Sequence, residues 1–164
     1  MRVAILSESS ADEAALRVLV DAVLGIRTSA VADLPLRSRG VDAVRATLPA
    51  IIRHLHYHTD ADGLVVVVDS NHTSLEATAA KNRLLEFRDM AGNVHSNLGA
   101  VAGRVPLRIA VGVAAPAIEA WLLCKQDQHI SEAAWEEGLQ NQRDPYSKVE
   151  LKRQLYGVKF ASLI

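Results

Sequence analysis

The sequence predicts an α/β protein: a mostly parallel sheet of about four strands with helices on both faces, in one domain spanning residues 1–164. Three observations carry this reading. Short, wholly apolar runs recur along the chain, as expected of strands buried on both sides. Helix-start chemistry follows them. The intervening segments place their apolar residues at helical spacing.

The elements follow in chain order. Val3 to Leu6 is the first strand. Ser10 to Glu13, "SADE", fits a capping box with Ser10 as N-cap and Glu13 reaching back. Ala15, Leu19 and Ala22 share one face of the ensuing helix. A weaker strand is predicted at Ile26 to Ala32, then a loop, "LPLRSRG", bounded by Pro and Gly. Val41, Val44, Leu48, Ile51 and Leu55 share the next helical face. Pro49 either interrupts that helix or opens a shorter one at Thr47. Leu64 to Val68 is the strongest strand, and "TSLE", Thr73 to Glu76, repeats the capping-box pattern after it. Asn93 to Arg104, holding Gly99 and Gly103, reads as a mobile connection to the strand at Leu107 to Val113. "APAIEAWLL" puts Pro116 in a first helical turn, where its missing N–H costs nothing. "SEAAWEEGLQNQRDP" predicts a short helix and a loop.

Composition narrows the class. The chain has 164 residues, long enough for one buried core, and 18 basic against 19 acidic residues give no global pull toward nucleic acid or membrane. The apolar part of "MRVAILSE" is too short for a signal peptide or a membrane span, so the protein reads as cytoplasmic. The single cysteine, Cys124, excludes an internal disulfide and a cysteine-built zinc site and reads as core filler. Trp121 and Trp135 read as packing residues.

Ligands of open α/β sheets bind outside the carboxyl ends of the strands. Asp69 ends the valine-rich run, Glu8 follows the first strand, and Glu119 lies in the first turn of the helix after the last strong strand. Any one of them could serve as a helix cap or turn residue. Three acids on one edge of a parallel sheet instead suit a divalent cation, magnesium or manganese. His54 and His58 are spaced i, i+4, but no glutamate accompanies them as in a zinc-protease helix, and they read as a polar helix face with His56 on another side. His72 reads as an exposed loop residue. Basic residues are scattered: Arg37 and Arg39 in the Pro/Gly loop, Lys81, Arg83 and Arg88 in the helix after Asp69, and Lys148, Lys152 and Arg153 near the end. Arg39, by its loop position, and Lys148 are the candidates for contact with a phosphate backbone.

The order "ILSE", "VVVVDSN" and "PAIEAWLL", with "DPYSK" near the end, resembles the Toprim fold. More closely, it is similar to small stand-alone Toprim-like proteins related to the RloB group and to the nuclease half of the overcoming-lysogenization-defect nucleases. The resemblance spans roughly Arg2 to Lys148. It implies a Rossmannoid sheet, magnesium-dependent cleavage or transfer of nucleic-acid phosphodiesters, DNA or RNA, and a role in defence against foreign DNA. It also implies Glu8 in acid/base work, Asp69 on the metal and Lys148 on phosphate. The chain departs from the family's Asp-x-Asp pair at Asn71, whose amide oxygen can still ligate magnesium with one negative charge fewer. The expected metal set is Glu8, Asp69, Asn71 and Glu119. The departure keeps a second reading in view: a non-catalytic Toprim-like module that binds a partner ATPase. A response-regulator receiver fits less well, since "SESS" and "AAPAIEA" stand where an acidic pair and a lysine are required.

Overall fold

The computed structural model describes residues 1–31, 40–70, 82–124, 130–141 and 146–156. Arg37, Arg39, Asn71, His72, the Thr73 to Glu76 motif, Lys81 and the Asp144-Pro145 pair lie outside the described residues. The elements are β1 (Val3–Leu6), α1 (Ser10–Leu24), α2 (Gly40–His58), β2 (Gly63–Asp69), α3 (Arg83–Ser96), β3 (Arg108–Ala114), α4 (Ile118–Leu123), α5 (Glu132–Gln140) and α6 (Lys148–Tyr156). The protein is α/β, and its described residues form one three-stranded sheet in the order β1-β2-β3. β1 and β2 run parallel, Val3 opposite Gly63 and Leu6 opposite Val66. Bonds from Arg108 N–H to the Asp62 carbonyl and from Ser70 N–H to the Ala114 carbonyl keep β3 in the same direction. A Cβ at Gly63 would meet the Arg108 carbonyl at 3.3 Å, so a larger residue there requires the neighbouring backbone to give by a few tenths of an ångström.

The chain divides into two compact units, Met1–Val68 with Leu84–Gly112, and Asp69–Arg83 with Val113–Ile164. The first unit is built on the apolar strands. β2 is buried at every position except Val65, which is half-buried, so side chains on both faces of the strand are out of water. In α2, Val44, Leu48, Ile51 and Leu55 are fully buried, as their spacing predicts. Each such side chain contributes about 1.5–3 kcal/mol when taken out of water. The helix runs through Pro49, which settles the open alternative in favour of one continuous helix. Arg104 holds its far end, donating to the His56 carbonyl at 2.5 Å and the Ala61 carbonyl at 3.4 Å. That satisfies an acceptor which the last turn leaves without a helical partner.

Several local expectations shift. The N-cap of α1 is Ser9, not Ser10: its side chain accepts from Asp12 N–H at 3.2 Å, and the helix begins at Ser10. The buried face of α1 centres on Leu16 rather than on Ala15, Leu19 and Ala22, and Ala22 is exposed. Gly25 closes the helix at φ 66°, a left-handed conformation that suits glycine. Of the expected strand at Ile26 to Ala32, the described part, Ile26 to Val31, forms one parallel bridge, Arg2 with Ser29. Its polar residues are engaged otherwise: Thr28 donates to Asp21, through N–H at 2.9 Å and through its hydroxyl at 2.6 Å. Asn93 to Ser96 belong to α3, so the connection is shorter than expected.

The second unit has its own apolar cluster, in which Ala115, Leu123, Ile130, Trp135, Tyr146 and Leu151 are buried together. Tyr146 and Trp135 rings lie 5.3 Å apart, and the Tyr146 hydroxyl donates to the Ser131 carbonyl at 2.6 Å. Ser147 and Glu150 form a reciprocal capping box: Glu150 N–H donates to Ser147 Oγ at 3.1 Å and Ser147 N–H to Glu150 Oε2 at 2.8 Å. This fixes Lys148 as the first residue of α6. Pro116 precedes α4, whose N-cap is Ala117, instead of lying in its first turn. Cys124 is exposed and not core filler, its thiol donating to the Trp121 carbonyl at 3.1 Å.

Candidate functional site

The site is built where β2 ends and where α4 and α6 begin. The buried valines of β2 carry the chain to Asp69, which is itself only 8% exposed. A buried carboxylate is costly unless it is hydrogen-bonded and paired. Asp69 meets that requirement twice. Oδ1 accepts the N–H of Ile118 at 3.1 Å, in the first turn of α4. Oδ2 takes the ammonium of Lys148 in an ion pair. The Asp69 carbonyl accepts from Arg83 Nη1 at 2.6 Å.

Glu119 follows Ile118 directly and is 3% exposed. Its Oε2 is buried with no hydrogen-bond partner among the described residues. Burial pushes the Glu119 carboxyl above its ordinary range; its own backbone N–H acts against that, the Asp69 charge adds to it, and the Lys152 and Lys148 ammonium groups oppose it. Ser70 is fully buried, and its Oγ likewise has no partner among the described residues. Two carboxylates, a buried hydroxyl and two lysines are thereby gathered within the second unit.

Of the residues singled out from the sequence, Asp69, Glu119 and Lys148 are therefore neighbours in one electrostatic group. Glu8 follows β1 in the first unit, half-buried, and its carbonyl accepts the Gly40 N–H at 2.9 Å. Asn71 and Arg39 lie outside the described residues. Three further residues went unnoticed as site residues. Lys152 had a signal, because it stands four residues after Lys148 and shares its helix face. Ser70 had the weaker signal of adjacency to Asp69. Arg83 stood out only as one of the scattered basic residues of the helix after Asp69, and its bond to the Asp69 carbonyl follows from where α3 starts.

Among the described residues no group of three or more His, Cys, Asp or Glu side chains could hold a metal ion. The donor set that is present, Asp69 with Glu119 and the Ser70 hydroxyl, is all oxygen, which fits a hard divalent cation. Magnesium commonly takes only one or two carboxylates and completes its shell with water and substrate phosphate. The partnerless Glu119 Oε2 is the atom such a cation would satisfy. His54 and His58, with ring centres 5.7 Å apart on α2, belong to the first unit.

No helix among the described residues is long and apolar enough to cross a membrane. No family model, no curated protein and no solved structure matches the chain.

Proposed function

We propose that the chain is a Toprim-like, magnesium- or manganese-dependent enzyme that cleaves or transfers nucleic-acid phosphodiesters, using the Asp69, Glu119 and Lys148 group. The observation that carries the reading is the buried Glu119 oxygen without a partner among the described residues, beside an aspartate held by a lysine. A protein gains nothing structural from an unsatisfied buried carboxylate, which costs about 1–3 kcal/mol or more. Such a group is expected where a ligand supplies the missing charge.

In this reading Asp69 and Glu119 hold the cation, with Asn71 as a further oxygen ligand to be tested by Asn71→Asp. When bound, the cation supplies Lewis-acid polarisation of a phosphoryl oxygen. Lys148 exchanges its aspartate for a phosphate oxygen and offsets the charge that grows there during in-line displacement. Water attacks phosphorus, the bond to the leaving sugar oxygen breaks, and one proton passes from the water to that oxygen. Glu8 is the proton carrier that the family resemblance implies.

The experiment is cleavage of supercoiled plasmid, single-stranded DNA and RNA with manganese or magnesium. Weak activity is expected, lost in Asp69→Ala, Glu119→Gln and Glu8→Gln. Activity that survives in Asp69→Ala and Glu119→Gln sinks the assignment of the site. Survival in Glu8→Gln alone removes only the first-strand glutamate from the reaction.

A second reading has its own observation. Both Asp69 oxygens already have partners, Ile118 N–H and Lys148, which is what a structural latch requires. That favours a non-catalytic Toprim-like module binding a partner ATPase. Isothermal titration separates the two, since a latch takes up no magnesium.

A further inference from the structure

A different part of the molecule, within the first unit, offers a second surface. β3 is the last strand of the sheet, and its outer edge pairs with no strand among the described residues. The direction of its free groups follows from the bonds already made. Arg108 N–H reaches the Asp62 carbonyl, and the Ala114 carbonyl accepts from Ser70. Both are even-numbered, and main-chain groups of a strand alternate in direction. The N–H and C=O groups of Ile109 and Val111 therefore point outward, away from β2.

Proteins commonly blunt such an edge with charge or cover it. Here Arg108 is exposed, but the edge is bordered by a groove of about 500 Å³. Ala91, Pro106, Ile109 and Val111 give it an apolar lining, and Arg88 and Arg108 stand in it, with no acidic residue among the lining. Arg88 is exposed as well. Main-chain donors and acceptors with no strand partner among the described residues, at alternate positions and with apolar sockets beside them, are what strand addition uses, and Arg108 adds a preference for acidic side chains. A phosphate backbone would use the arginines but leave the sockets and the main-chain groups unused.

We infer that the outer edge of β3 binds an extended segment of a partner protein in which apolar and acidic side chains alternate. The segment adds a strand through Ile109 and Val111. Its apolar side chains enter the groove along α3, and its carboxylates, which face the other side of the sheet, meet Arg108. Charge sets the choice of partner and the main chain sets its register.

The test uses the full chain and synthetic heptapeptides: glutamate alternating with valine, lysine alternating with valine, and two N-methylated forms of the first, each blocking one of the two alternating sets of N–H groups. The acidic peptide is expected to bind about tenfold more tightly than the basic one at low salt, with the difference shrinking as salt rises. One N-methylated form should lose binding and the other keep it, because only one set faces β3. Bound peptide should slow hydrogen exchange at the Ile109 and Val111 amides and leave the Arg108 amide, already paired, unchanged. Arg108→Glu should reverse the charge preference, and Arg88→Glu should not. If Arg108→Glu does not fold, Arg108→Gln should abolish the preference. Equal binding of both peptides, no binding, or equal loss with both methylated forms overturns the proposal. So does protection of Ile109 and Val111 that rises with protein concentration alone, which assigns the edge to a second copy. Protection of the same amides by a single-stranded oligonucleotide overturns it in favour of nucleic acid.

Discussion

Replacing Lys148 with methionine keeps most of the length and apolar stem of the side chain and deletes only the ammonium that pairs with Asp69. The two side chains are 30% and 11% exposed, so the pair is neither a surface bridge nor a fully buried one. Exposed pairs contribute about 0.2–1 kcal/mol, whereas stripping one partner from a buried pair costs about 3–5 kcal/mol. With roughly a third of the lysine in water, solvent screening brings the expected loss to about 1–2 kcal/mol. For a chain of 164 residues this lowers Tm by about 2–8 °C. Urea titration gives the same quantity as a shift in midpoint at constant slope. Magnesium should then act in the opposite direction. In the wild type a cation must compete with the ammonium for Asp69 Oδ2, and in Lys148→Met it need not. Removing a competitor worth about 1–2 kcal/mol tightens binding about 5–30-fold, and saturation at 100 times Kd adds about 2.7 kcal/mol of stability. The variant is thus less stable than wild type without magnesium and more responsive to it. Unchanged stability without the ion refutes the energetic importance of the pair. An equal magnesium response in both proteins refutes a cation on Asp69.

Further predictions test other joints of the argument. Glu119→Gln should stabilise the protein at neutral pH. The folded state holds the Glu119 proton to higher pH than the unfolded chain does, so the wild type carries no penalty below the ordinary carboxyl range and loses stability as pH rises through the raised value. Urea midpoints from pH 4 to 8 should therefore diverge with rising pH, and curves that stay parallel would dismiss the burial effect. Ser9→Ala should cost about 1 kcal/mol and Ser10→Ala much less, because only Ser9 caps α1; equal losses would return the cap to Ser10. Leu55→Ala, at a position fully buried in α2, should cost about 2.7–5.0 kcal/mol, measured by the same titration.

The strands and the α2 face were legible in the sequence because each is a local pattern answering one strong force. A run such as Leu64 to Val68 has no polar side to show to water, and Val44, Leu48, Ile51 and Leu55 can all be buried only on a helix. Asp69 and Glu119 were legible as well: an acid that ends a greasy strand or opens a helix beside one stands out against its neighbours. Where two residues compete on nearly equal terms, the sequence stopped short. Ser9 and Ser10 are the same side chain one position apart, and hydrogen-bond geometry alone chose between them. Pro49 kept its helix because burial of the residues around it outweighs one lost hydrogen bond. In Ile26 to Val31 the ladder stops at the Arg2–Ser29 bridge, and Thr28 spends its N–H and hydroxyl on Asp21. What only the tertiary structure decided is the set of partners. That Lys148 reaches Asp69 across 79 residues and that Glu119 Oε2 finds no partner among the described residues depend on how α4 and α6 pack, and that Arg83 takes the Asp69 carbonyl depends on where α3 starts. No local pattern encodes a contact at that separation: a residue's propensity reports its neighbours along the chain, and a charge is paid for or stranded only by its neighbours in space.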